Sequence, residues 1–407
     1  MKIGKDRHRE AGVSFEIERL LNRQVLVHPV GVMKFKVNRN HFFNGLTTVT
    51  NIVGARVTMP ILQNVLIEAE GDTVTLTTTI IDISVCCRIK ATVSTPGRIT
   101  LPVKRLTTIV RNLPSADVTV DLAGKERVKV SSGSSTFQIT GMGAEQFPPV
   151  ATFTGAPTAN LDQEALGAIL RKVSYAQSTD ENRYILNGVF FEFEASKLNV
   201  VATDGRRLAK SELARTGGGE AAGLILPART INELTRLLKT GQVAFTHNER
   251  QVGFLIDVPK NDEGLVDKIQ LISRVVEGNY PNYRQVIPKD TGFKVRLERE
   301  KFLECVQRAA LMTDERNNTV HISVSKERQT LEISAKSAAG ESVEPIAVKY
   351  EGANVNIAFN PTYLVEPLKA VTEDEIDLEI KSDTDAGVLR GIKETFLCVV
   401  MPQRVSA

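Results

Sequence analysis

Cysteine is scarce in this 407-residue chain: four residues, two vicinal (Cys86, Cys87) and two isolated (Cys305, Cys398). That spacing offers neither a disulfide framework nor the paired cysteines of a zinc site, and it fits a reducing compartment. Long apolar runs are lacking too, which excludes a membrane-spanning helix, and the first residues have no continuous apolar core of the signal-peptide kind. A cytoplasmic protein with no membrane partner is expected. Nor is there a large excess of one charge. The net charge is +3, and residues 1–32 carry six basic and four acidic side chains, which leaves about +1 for the rest. An ordinary, strongly basic DNA-binding domain is therefore disfavoured, and any grip on nucleic acid has to be local or geometrical.

Catalytic constellations are missing as well. His8, His28, His41, His247 and His321 show no ligand spacing among themselves or with the cysteines, so no metal is expected. The glycine-rich stretch 217–223 lacks the Gly-Lys-Ser/Thr ending that sets a lysine against phosphate; it reads as a surface loop, and no cofactor is expected. Gly71-Asp72 and Asp204-Gly205 read as hairpin turns. The second of these is unusual, because Arg206 and Arg207 follow it directly, before Leu208. A turn that basic beside apolar residues is a candidate anion or peptide contact.

What the chain does have is a repeat. Six times, a strand-like run ends in an apolar anchor: Val37, Leu101, Leu161, Leu226, Leu297 and Phe359. Four mostly polar residues then lead to Phe42, Leu106, Leu166, Ile231, Phe302 and Leu364, each opening a pattern with the period of an α-helix. The anchors are 60 to 71 residues apart. Between helices, Val65–Ala69, Val74–Thr78, Gly188–Phe193, Leu198–Ala202, Val320–Val324 and Leu331–Ala335 alternate apolar and polar residues as strands do. Each unit therefore reads as β-α-β-β-β, an α+β two-layer design. The longest interval contains the turn-rich run 259–264.

A second signal recurs half as often. Phe147-Pro148, Tyr280-Pro281 and Met401-Pro402 each close a pair of units, which turns six units into three domains. Breaks near residues 150–157 and 288–292 suggest domains at 33–154, 155–289 and 290–407, preceded by a disordered or weakly helical extension, residues 1–32. Similar units joined by similar rotations close into a ring or run into a spiral. A repeat this long does not suit a solenoid or a propeller blade.

Ala202-Thr-Asp-Gly-Arg-Arg-Leu-Ala209, Tyr280-Pro-Asn-Tyr-Arg-Gln-Val-Ile-Pro288, Met59-Pro-Ile-Leu-Gln-Asn64, Asn187-Gly188 and the ending Val399-Val-Met-Pro-Gln-Arg404 together resemble the bacterial DNA polymerase III β subunit, the sliding clamp. The likeness runs from Met33 to about Val405. It implies three similar clamp domains forming a head-to-tail homodimeric ring with helices inside and sheets outside, around duplex DNA of any sequence. It also implies a non-catalytic processivity factor that recruits the DNA polymerase III α subunit, the clamp loader and repair polymerases through short peptides.

Carried over residue by residue, the resemblance places a peptide pocket at Leu186, Thr203, Gly205, Arg206, Arg207, Leu208, Pro281, Gln285, Val286, Asn360, Tyr363, Val399, Val400, Met401, Pro402, Gln403 and Arg404. Gln285 and Gln403 depart from the commoner family residues and bear on peptide preference. DNA contacts are expected at Arg56, Arg111, Arg171, Lys172, Arg236, Lys239, Arg308 and Lys369. The dimer join is expected at Arg105, Phe137 and Ile139 against Leu311, Met312, Glu341 and Glu344. Two rival readings are a monomeric peptide-binding adaptor and an enzyme with an unrecognised site centred on Asp204 and Arg206.

Overall fold

The computed structural model describes residues 31–54, 59–114, 116–151, 157–215, 222–259, 264–314, 318–338, 340–393 and 395–403. The expected extension up to residue 30, Arg56, Arg404, and most of the runs 217–223 and 259–264 lie outside them. Among the described residues there are six α-helices: α1 (Arg39–Thr50), α2 (Val103–Arg111), α3 (Gln163–Val173), α4 (Ala228–Leu237), α5 (Arg299–Ala310) and α6 (Pro361–Ala370). All six begin where the repeat places them. Asn38 and Asn360 explain two of the starts, since each side-chain oxygen accepts backbone N–H bonds of the first turn that have no partner inside the helix.

Each helix is preceded by one strand and followed by three, and one extra short strand, Thr92–Thr95, follows the first unit. The preceding strand does not pair with its own unit. Val32–Asn38 pairs with Asp117–Ala123 of the second unit, while Gly97–Pro102 of the second unit pairs with Asn64–Glu70 of the first. The same exchange recurs between units three and four and between units five and six. Every anchor meets a β-branched residue across this contact: Val37 meets Val118, Leu101 Val65, Leu161 Val243, Leu226 Val189, Leu297 Ile376 and Phe359 Val320. All twelve side chains are buried. The anchors thus recur because each one locks two units together; β-branched and large apolar pairs suit this half of a pleated core. Paired in this way, the six units make three α+β domains.

The chain falls into two compact units, Met1–Glu164 with Arg236–Val275, and Ala165–Thr235 with Val276–Ala407. In each, an antiparallel seam joins the sheets of neighbouring domains into one eight-stranded sheet. The first seam pairs Ile83–Lys90 with Leu265–Arg274, and the second pairs Arg207–Ala214 with Leu397–Val400. Helices cover one face of these sheets closely. A Cβ on Gly45 of α1 would stand 2.6 Å from Ile89 Cγ2 and 2.8 Å from Leu76 Cδ1, so glycine lets the helix sit down on the sheet.

Candidate functional site: an apolar groove on the second seam

Strand alternation sorts the seam residues into two faces. Cys398 and Val400 point into the core beneath α5 and α6, whereas Leu397 and Val399 turn to the other face and cluster with Val201, Leu208, Val388 and Tyr283. Across the strands, Thr203, Leu208, Val399 and Val388 form one continuous row. Val400 was expected in the pocket; instead it belongs to the core, and Val388 and Val201 join the floor. Sequence reasoning missed both; Val388 and Leu389 are adjacent apolar residues, and no alternation in Gly387–Gly391 says which faces the floor. Close in the chain to the floor residues Val399 and Tyr283, Met401 is 43% and Val286 47% exposed; Pro281 is exposed, and Leu186 and Pro402 are half-buried. Exposed large apolar residues grouped on an apolar floor are what a binding groove offers.

One wall is the segment Tyr280–Val286, and it is fastened by the strand Gly188–Phe193. The Phe190 ring stacks on Tyr280 at 4.7 Å with an interplanar angle of 3°. Two residues on, on the same face, Glu192 accepts a 2.6 Å hydrogen bond from Tyr283 Oη and a two-pronged pair of 2.8 Å bonds from Arg284. Asn199 Nδ2 donates to Glu192 and to Glu194. Burial alone would raise the Glu192 carboxyl, but the bonds from Arg284, Tyr283 and Asn199 and the Arg284 charge outweigh it and hold it below its ordinary value. Burial and the adjoining Glu192 push the Tyr283 hydroxyl up, so it remains a donor. Sequence reasoning missed Glu192, because its partners lie about ninety residues away.

The basic turn behaves differently from expectation. Gly205 has φ +86°, Arg206 N and Arg207 N both donate to Asp204 Oδ1, and Gly205 N donates to Thr203 Oγ1. Arg206 is exposed, but Arg207 is buried. Its guanidinium meets Asp204 and Glu366, donates to the Tyr175 carbonyl at 2.6 Å, and lies 4.6 Å from the centre of the Tyr363 ring. Arg207 therefore works as an internal tie between the turn and α6, with Tyr363 as its lid, rather than as a surface anion contact. The same bonds hold the Asp204 carboxylate to the turn and to Arg207. Asn360 Oδ1 caps α6, and Gln403 Oε1 accepts from Thr319 Oγ1, so both polar groups are engaged within the fold. Gln285 is exposed on the wall. Deep beneath the seam, burial pushes the Cys398 thiol up to about 12.

The helix cations form a series. Arg111, Arg171, Arg236 and Lys369 each stand ten residues after their unit's anchor, and Arg308 eleven, always in the last helical turn. Arg171, Lys239 and Lys369 are exposed. Arg111 lies over the Phe43 ring, and Arg236 donates to the Thr48 carbonyl at the end of α1. Lys172 is buried, because its position one residue on turns it toward the helix's inner face; it is corrected as a phosphate contact. Arg308 is drawn into ion pairs with Glu344 and Glu304.

Of the residues expected at the dimer join, Phe137 on the edge strand Ser135–Thr140 and Leu311 after α5 are exposed, and so is Arg105. Met312 is half-buried against its own core and Ile139 is buried in its own domain, which assigns Ile139 to packing. Glu341 and Glu344 lie on the edge strand Gly340–Ala347, and Glu344 already faces Arg308 of the same chain.

Among the described residues no cluster of three or more His, Cys, Asp or Glu stands as a metal-ligand group, and no helix is long and apolar enough to cross a membrane. Doubled α+β domains, sheet seams and an apolar groove define a binding scaffold. Comparison with known proteins gives its family. Models of the N-terminal, central and C-terminal domains of the DNA polymerase III beta subunit match residues 33–151, 160–282 and 284–404. The beta sliding clamp of Synechocystis sp. is 32% identical, covering 92% of this chain and 100% of its own length. The crystal structure of the Bacillus subtilis DNA polymerase sliding clamp superposes with a TM-score of 0.86 at 28% identity, over 92% of this chain and 100% of that one. That of the Pseudomonas aeruginosa DnaN sliding clamp bound to griselimycin gives 0.83 at 27%, with the same coverage. The chain belongs to the DNA polymerase III beta subunit family, the bacterial DNA sliding clamps.

Proposed function

We propose that two copies of this chain close head to tail into a ring that encircles duplex DNA and slides on it. The observation behind this reading is a rule obeyed by both seams: the last strand of an odd-numbered unit pairs with the last strand of the unit three further on, one with four and three with six. Continued past the end of the chain, the rule sends unit five to unit two of a second copy. The last strands of those units, Gly340–Ala347 and Ser135–Thr140, lie at sheet edges, whereas the last strands of the other four units are paired in the two seams. Unpaired edges template further pairing, and a head-to-tail contact either closes or runs on.

The helices would line the ring. A cation in the last turn complements the helix dipole, and repeated over five units it also meets phosphates without reading bases. Retention then comes from topology, which a nearly neutral chain can supply. The DNA polymerase III α subunit, a clamp loader and repair polymerases dock apolar peptide anchors on the groove around Leu208, Met401 and Val286, each anchor contributing about 1.5–3 kcal/mol when buried. The chain does no chemistry of its own and works in the cytoplasm. Its domain joins are placed at 154/155 and 289/290.

The test is retention. Loaded by a clamp loader with ATP, the protein should stay on a nicked circle and leave the same DNA once it is linearised; equal retention on both rejects the ring. Light scattering should give twice 44.7 kDa, and a single-chain mass rejects the pairing of edges.

A further inference from the structure

The first seam carries a cavity of about 60 Å³, lined by Thr75, Thr77, Cys86, Cys87, Arg88, Lys268 and Gln270 with an apolar side of Val150, Ala151 and Leu255; Cys86 and its row face away from the helices. The face follows from the pairing: Cys87 Sγ donates to the Gly45 carbonyl of α1, so its neighbour Cys86 turns the other way. Thr77, Cys86, Gln270 and Leu255 form one cross-strand row under this cavity.

Two independent observations point to a ligand. Thr77 lines the cavity, and its buried hydroxyl has no hydrogen-bond partner within the protein, which costs free energy in a native fold unless something meets it. The lining also has a one-sided chemistry: two hydroxyls, an amide, a guanidinium and an ammonium beside two cysteines, with no carboxylate among the lining residues. Arg88 Nη1 is bound to Asp267 and Lys268 Nζ to Asp257, each at 3.1 Å, and a guanidinium and an ammonium keep further N–H donors beyond one such contact. Donors surround the polar end, and Val150, Ala151 and Leu255 form the other.

We infer that this cavity is a binding site for a carboxylate on a short aliphatic stem, with Thr77 and Gln270 donating to its oxygens and Arg88 and Lys268 supplying positive potential. The volume suits a group of about four non-hydrogen atoms, at about 15 Å³ of cavity for each water-sized group. Such a group is offered by a free small acid or by the C-terminus of a peptide chain. The site lies on a different seam from the apolar groove, and it stands or falls independently of the ring.

Cys86 makes the site self-reporting, because it is the half-buried thiol while Cys87, Cys305 and Cys398 are buried. Its alkylation by iodoacetamide in the full chain should slow at least threefold, saturably, as sodium propionate is added at constant ionic strength. Propionamide, the neutral isostere, should not protect. In a second arm, acetyl-Gly-Gly-Ala with a free carboxylate is set against its C-terminal amide. Protection by the peptide acid as well as by propionate assigns the site to chain ends, and protection by propionate alone assigns it to small acids. Thr77→Val keeps the side-chain shape and should abolish protection, with folding checked by circular dichroism. No protection, equal protection by propionamide, or protection unchanged in Thr77→Val each overturns the inference and leaves the cavity to solvent.

Discussion

The two seams are built alike and finished differently. Both are antiparallel contacts between the last strands of units three apart, with helices under one face. On the other face, the second seam presents Leu208, Val399 and Val388, while the first presents Thr77, Cys86, Gln270 and Leu255. Geometry is thus supplied by the repeat, and recognition by which residues occupy one row of it. A row of aliphatic side chains takes apolar anchors without demanding hydrogen bonds. A row of polar ones demands partners.

The comparison can be broken most severely from below. Leu208→Ala and Leu271→Ala each remove a buried side chain from one seam and should each cost about 2–5 kcal/mol in denaturant unfolding; only the first should also abolish binding of an apolar-anchored peptide, measured by fluorescence anisotropy. A next, cleaner cut is Met401→Ala with Val286→Ala. Both side chains are substantially exposed, so stability should change by less than about 0.5 kcal/mol while peptide affinity falls about 10- to 100-fold. An unchanged affinity would remove the groove from the second seam.

Glu192→Gln comes third. It keeps an acceptor for Tyr283 and loses the charge facing Arg284, itself more than half exposed, so the loss in stability should be about 1 kcal/mol or less. The sign with pH is fixed: a carboxyl held below its ordinary value stabilises the fold above the ordinary carboxylate range, and this contribution disappears as pH falls through its lowered pKa. Wild type and Glu192→Gln should therefore differ at neutral pH and converge in acid, and parallel melting curves at all pH values would refute the role. Smallest of all, Cys86→Ser should leave peptide affinity unchanged, since that thiol faces the first seam's cavity.

Much of this was legible in the sequence. The anchors announce the helices because apolar spacing encodes both the strand end and the helix face. Gly205 and Asp204 announce their turn because few residues accept a left-handed φ. Strand exchange was not legible, since nothing local in Val32–Asn38 says that its partner lies in another unit. Arg206 and Arg207 are identical in type and adjacent, yet Arg206 stays exposed in the turn while Arg207 opens the paired strand and is buried against Tyr363. Arg308 and Glu344 read separately as a DNA contact and a dimer contact; only the fold of α5 against the edge strand reveals them as partners.

Strand exchange also sets a clock. The strand Val32–Asn38 needs Asp117–Ala123, which is synthesised roughly 80 residues later, and at about 5–20 residues per second the ribosome takes about 4–16 s to supply it. The first unit spends that time with its opening strand lacking this partner and its anchor Val37 without Val118. The domain is therefore a poor candidate for folding by halves, and contacts this distant in sequence are slow to form. A nascent chain stalled between the two strands should remain open to protease until the second arrives.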